Sequence, residues 1–186
     1  MAAYAALVRV GGAVSTPRPE GLDLDEPAGL VSWEEARRRC EALRESGRTV
    51  VFTNGCFDLL HAGHVRYLAD ARELGDLLVV GLNSDDSVQR LKGEGRPWNS
   101  AAARATVLLG LRSVDLVIVF DQDTPLELIQ HLRPSILCKG ADYAPDEVVG
   151  RPEVEADGGR LVLIPFVTGF SSSALMARIR ETDGTP

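Results

Sequence analysis

A chain of 186 residues, 45% hydrophobic and 25% charged, suits one soluble domain with a core of its own. Its formal net charge of −7 argues against a general nucleic-acid binder, which shows a basic face, but leaves room for a local basic pocket. No apolar run reaches the length of a membrane span. The start, "MAAYAALVRVGG", lacks a basic leader and a long apolar centre, so a cytoplasmic protein is expected.

Residues 1–29, with "GGAVSTPRPEGLDLDEPAG", read as a loosely ordered arm ahead of a single domain over 30–186. "SWEE" is a capping box, with Ser32 as N-cap and Glu35 three residues on. Trp33, Ala36, Cys40 and Leu43 then recur at helical spacing, Gly47 is a stop, and Arg37 to Arg39 read as a solvated face. "TVVFT" is a short buried strand. A helix follows from His64 to Leu74, with Tyr67, Leu68, Ala71 and Leu74 on one side and Gly75 closing it. "LLVVGL" is the second strand, Asp85 to Leu91 a short helix, "SAAARATVLLGLRS" a longer one and "VDLVIVF" the next strand. Thr124 as N-cap with Pro125 at the first helical position opens a helix to His131. "SILCKG" and "RLVLIPF" are strands, and Ser171 to Arg180 is the last helix.

Apolar strands that alternate with helices and lack a polar face imply a parallel sheet covered on both sides. The expected fold is therefore α/β, doubly wound and Rossmann-like, in a single domain. Ligands of such folds sit beyond the carboxyl ends of the strands. The cysteines, Cys40, Cys56 and Cys138, are scattered and without C-x-x-C spacing, and read as buried or half-buried thiols.

Two of the three histidines fall in "HAGH", just after a buried strand and the Asn54-Gly55 turn. At i, i+3 near a helix start, His61 and His64 share one face beside unpaired N–H groups, a natural phosphate site. Gly63 between them lets a ligand approach the backbone. The same pair would equally supply half a metal site, with Asp58 the nearest further donor. "RLKGEGRPWN" places Lys92 and Arg96 in an irregular loop that can bring charge onto a phosphate. "KGADY" puts Lys139 at a strand end with Asp142 and Tyr143 behind it. "GFSSSAL" puts Ser171, Ser172 and Ser173 at a helix start, where they serve equally as caps or as phosphate contacts. Neither a Walker A nor a G-x-G-x-x-G motif is present.

"GCFDLLHAGH" resembles the H-x-G-H nucleotide-binding signature of the cytidylyltransferase-like nucleotidyltransferases. The order and spacing of "TNGCFDLLHAGH", "LKGEGRP", "KGADY" and "SSS" resemble the branch that makes ADP-heptose from D-glycero-β-D-manno-heptose 1-phosphate, over about Leu30 to Glu181. The resemblance implies transfer of AMP from ATP to a heptose 1-phosphate, with pyrophosphate leaving and Mg²⁺ carried by the nucleotide. It implies small-molecule partners, no nucleic acid or membrane, and a homodimer. It implies that Thr53, Asn54, Gly55, Cys56, Phe57, Gly63, Lys139, Gly140, Asp142 and Ser171 to Ser173 contact the nucleotide. His61, His64 and Lys92 would act on the phosphates. Asp58, Arg96, Arg104, Asp115 and Tyr143 would border the acceptor. Three rivals stand beside it: another nucleotidyltransferase of the glycerol-3-phosphate cytidylyltransferase or FAD synthetase type, a nucleotide-binding regulator without turnover, and a metal-binding module on the histidine pair.

Overall fold

The computed structural model describes residues 27–165 and Met176. The arm up to residue 26, the serine triplet and all of the expected last helix except Met176 lie outside the described residues.

Helix α1 runs Trp33–Glu45 and opens as the capping sequence predicts, with the Glu35 N–H donating to Ser32 Oγ at 3.2 Å. Its Glu35 carboxylate is engaged by Arg38 and Arg39. Strand β1 (Val50–Gly55), helix α2 (Ala62–Arg72) and strand β2 (Leu77–Asn83) follow. Then come α3 (Asp85–Lys92), α4 (Ala101–Leu109), β3 (Leu116–Phe120), α5 (Leu126–Leu132) and β4 (Ile136–Gly140). A 3-10 turn at Pro145–Glu147, α6 (Arg151–Ala156) and β5 (Arg160–Ile164) complete the described chain.

The five strands are parallel and ordered β3-β2-β1-β4-β5. Two separate cores result, one on each face, because successive strand residues point to opposite sides. Val51, Val80 and Cys138 pack with Tyr67, Leu68 and Leu108 of α2 and α4. Phe52, Val79 and Leu137 pack with Cys40, Ile129 and Val154 of α1, α5 and α6. The doubly wound fold expected from the sequence is the fold observed. Residues 29–31 run along the outer edge of β3, where the Val31 N–H donates to the Val117 carbonyl at 3.0 Å.

The strand order reverses between β1 and β4, and the register opens a crevice there. β1 keeps pairing with β2 up to Gly55↔Leu82. It pairs with β4 only at Val51↔Ile136 and Phe52↔Leu137. Beyond those pairs the two strands part, leaving Asn54 and Lys139 at the rim of a gap, the usual ligand position in such sheets.

Three boundaries differ from the expectation. Helix α2 begins at Ala62, with His61 as its N-cap, because the His61 imidazole itself caps the first turn. The N-cap of α5 is Pro125, whose carbonyl accepts from the Ile129 N–H, so Thr124 is left outside the helix. The 3-10 turn and α6 are each too short, at three and six residues, to show a helical period.

Candidate active site

The crevice holds a cavity of about 470 Å³, formed where the ends of β1, β2 and β4 meet the loops behind them. A smaller lobe of about 220 Å³ lies beside it, against Tyr67, Gly140 and Asp142. Asn54, Gly55, Cys56, Phe57, His64, Lys139 and Tyr143 line both lobes and so form the wall they share.

His61 and His64 stack with ring centroids 3.8 Å apart and planes 16° from parallel. The His64 N–H donates to His61 Nδ1 at 3.3 Å. A neutral imidazole that accepts at Nδ1 carries its proton on Nε2, so the cap fixes the His61 tautomer. Burial, then the neighbouring His61, pull His64 down to about 4, with the Leu59 backbone acting weakly the other way. Burial also lowers His61. Both rings are therefore neutral donors at neutral pH. Phe57, held at a positive φ of 46°, meets the His64 ring edge-on at 5.4 Å and limits its tilt.

Asp58 is nearly buried, and its carboxylate is already occupied. It accepts from the Trp98 N–H at 2.9 Å, the Asn99 N–H at 3.0 Å and Arg96 Nε at 2.8 Å. Burial pushes this carboxyl up, but the Asn99 and Trp98 N–H groups with Arg96 outweigh it, leaving it below the ordinary value. Asp58 thus ties the 96–99 loop to the nucleotide motif. Arg96 lies over the Trp98 ring at 3.8 Å. Gly93 and Gly95 adopt positive φ of 92° and 78° with open space around them, which turns the chain sharply after α3. Lys92, exposed at the end of α3, lines the larger lobe and forms no ion pair among the described residues.

Lys139 is 9% exposed and its Nζ lies 2.5 Å from Asn54 Oδ1. Burial pulls its ammonium down to about 8, against the raising effect of Asp142. The ammonium also faces the Tyr143 ring at 5.6 Å.

Three residues expected at the substrate are corrected. Asp115 precedes β3, at the amino end of the sheet and away from the crevice. There its carboxylate accepts from the Leu78 N–H at 2.7 Å and pairs with Arg72 at 2.8 Å. Thr53 is fully buried on the α2 face, its hydroxyl 2.7 Å from the Tyr67 hydroxyl. Arg104 is 2% exposed and donates to the Cys56 carbonyl, the Asn99 carbonyl and the Asp85 carboxylate at 2.6, 2.9 and 2.7 Å. It fastens three segments around the site without facing the cavity. Gly63 is buried in the first turn of α2. The structure brings Asn54, Gly55, Cys56, Phe57, Asp58, His64, Lys92, Arg96, Lys139, Gly140, Asp142 and Tyr143 to the two lobes, whereas His61 stacks on His64 without lining either.

Asn83, Thr124 and Glu147 also line the larger lobe and were not named as site residues from the sequence, where Thr124 was read only as a helix cap. Asn83 had a readable signal, a polar residue closing an apolar strand in "LVVGLN". Glu147 had none, since only the folding of the 3-10 turn brings it over. Among the described residues no group of three or more His, Cys, Asp or Glu is arranged to hold a metal ion. No helix among them is long and apolar enough to cross a membrane.

A cleft at the reversal point of a parallel sheet, lined by a neutral imidazole from a helix start and by lysine side chains, defines a nucleotide-binding α/β protein. The profile of the cytidylyltransferase-like family matches residues 52–166, more than half of the sequence, and the chain belongs to that family. The bifunctional protein HldE of Syntrophotalea carbinolica is 58% identical over 148 residues, which is 80% of this chain and 30% of the relative. The bifunctional protein HldE of Azorhizobium caulinodans is 49% identical over 186 residues, 96% of this chain and 39% of the relative. The chain thus spans about a third of the length of these relatives. The crystal structure of the lipopolysaccharide core biosynthesis protein from Thermoplasma volcanium aligns with a TM-score of 0.54 at 28% identity, covering 65% of this chain and 98% of that one.

Proposed function

We propose that this protein transfers the AMP moiety of ATP to a heptose 1-phosphate, giving ADP-heptose and pyrophosphate. The observation that carries the reading is the crevice in which neutral His64, stacked on His61 at the start of α2, shares one lining with Lys139 and Lys92. The match to two-function HldE proteins supports the sugar.

An oxygen of the acceptor's phosphate attacks the α-phosphorus of ATP in line. The new P–O bond forms as the bond to the bridging oxygen breaks, and that oxygen leaves on pyrophosphate with the electron pair. The nucleophile is already an anion, so no base removes a proton. Catalysis then rests on position and charge, as in related phosphoryl transfers. His61 Nε2–H and the His64 ring stabilise charge developing on the phosphate oxygens from the helix start. Lys92, exposed at the end of α3, neutralises the outer phosphates.

Mg²⁺ suits this site as an ion borne by the nucleotide. The histidines and amines around the crevice are poor ligands for it, Asp58 is fully engaged, and among the described residues no group of three or more His, Cys, Asp or Glu is arranged to hold a metal ion. When bound, it would neutralise phosphate charge. The protein's own part is to hold the triphosphate against the helix start and the acceptor against it.

A pyrophosphate-release screen of ATP, CTP, GTP and UTP against both anomers of the heptose 1-phosphate tests this reading. ATP with one heptose anomer is expected to give the highest turnover. Preference for CTP with glycerol 3-phosphate would replace it with the cytidylyltransferase reading.

A further inference from the structure

The two lobes of the crevice differ in which cations reach them. The larger lobe is lined by Lys92, Arg96 and Lys139, and the smaller by Lys139 alone. His64 lines both, but burial keeps it neutral. Lys139 is thus the one charged cation, among the described residues, on the wall that both lobes share.

Its setting is built for an anion. The side chain leaves the end of β4 where β1 and β4 part, and it is more than nine-tenths buried. Among the described residues a single side-chain oxygen, Asn54 Oδ1, accepts from it, while an ammonium has three protons to donate. Asn54 is in turn fixed at the end of β1 by the β2 ladder. A buried ammonium with spare donors is costly unless a ligand completes it.

We propose that Lys139 is a catalytic residue that bridges the two anionic substrates, contacting the α-phosphate of the nucleotide from one lobe and the acceptor's phosphate from the other. The inference rests on the nucleotidyl-transfer reading and deepens it. Two anions must meet for the P–O bond to form, and like charges side by side exclude each other unless a cation stands between them. Lys92 and Arg96 reach only one lobe and cannot fill this role. The depressed ammonium agrees with the geometry, since a phosphate on either side would favour its charged form.

The test uses the full chain with Lys139→Met and Lys139→Arg. Methionine fills similar space without the charge, so the thermal midpoint should hold or rise, which separates lost function from misfolding. Turnover of Lys139→Met should fall by about 10²–10³, as for loss of one stabilising donor. Lys139→Arg should restore part of it.

The distinguishing readout is binding in pairs, by calorimetry, of α,β-methylene-ATP and inorganic phosphate. In the wild type the analogue should change phosphate affinity by less than about threefold. In Lys139→Met it should weaken phosphate binding by about tenfold or more. Equal coupling in both proteins, or turnover of Lys139→Met within about threefold of wild type, overturns the bridge. Because the binding arm contains no sugar, a wild type that rejects heptose 1-phosphate yet shows the coupling difference overturns the acceptor and upholds the bridge.

Discussion

The Nη1 of Arg104 donates to the carbonyl of Cys56 at 2.6 Å, fastening the fourth helix to the turn that carries the nucleotide motif. The same guanidinium reaches Asn99 and Asp85, so one buried side chain sets the spacing of three segments. Replacing Arg104 by Ala leaves those acceptors without their donor. Unfolding in urea should show stability lower by about 2–3 kcal/mol. Activity should fall through a raised KM for both substrates, because the wall loosens while every phosphate-binding group remains. Unchanged stability would mean the clamp is dispensable.

Asp58 makes a prediction about acid. Its folded-state carboxyl sits below the ordinary value of 3.8, so it favours the fold at higher pH. That contribution is present above the unfolded value and is lost as pH falls through the lower folded one. The wild-type melting temperature should drop across this acid range more steeply than that of Asp58→Asn. The variant should already be weaker at neutral pH by about 2–3 kcal/mol, having lost the charge that holds the 96–99 loop. Parallel pH curves for the two proteins would refute the role.

His64 titrates in the same sense, at higher pH. Its folded value of about 4 lies under the ordinary 6.5, so between those limits the unfolded chain binds more protons and stability rises with pH. An NMR titration of the imidazole should give a midpoint near the lower figure. A midpoint near the ordinary value would mean a charged ring, and the neutral-donor account would fail. His64→Ala should retain fold and lose about 10²–10³ in turnover.

Asp115 and Thr53 separate resemblance from position. Asp115→Asn breaks the pair with Arg72, and Thr53→Val leaves the Tyr67 hydroxyl buried without its partner. Each should lower stability by about 1–3 kcal/mol and leave kcat unaltered. A large drop in kcat for Asp115→Asn would place it at the chemistry after all.

Most of the architecture was legible in the sequence because buried parallel strands are uninterrupted apolar runs and helices announce their caps. Ser32, which caps α1 as read, is an example. Short elements were not legible: the 3-10 turn offers three residues and no period, so Glu147 could not be placed near the site. The histidine pair was legible as a candidate phosphate site from spacing, but its stacking, its lowered proton affinity through burial and the contact of His64 with Phe57 are not encoded in any spacing. Asp58 and Arg104 read as substrate contacts from their family motifs. Only the closed chain shows that their polar atoms face the protein's own loops. A charged residue in a motif can serve the ligand or the wall behind it, and sequence does not tell these apart.

The central claim is transfer of an adenylyl group at the crevice between β1 and β4. It is tested most directly by following the phosphorus. ATP labelled at the α-phosphate should pass its label to the sugar product, while ATP labelled at the γ-phosphate should leave its label wholly in pyrophosphate. Label from the γ position in the sugar product, or none from the α position, would contradict the account.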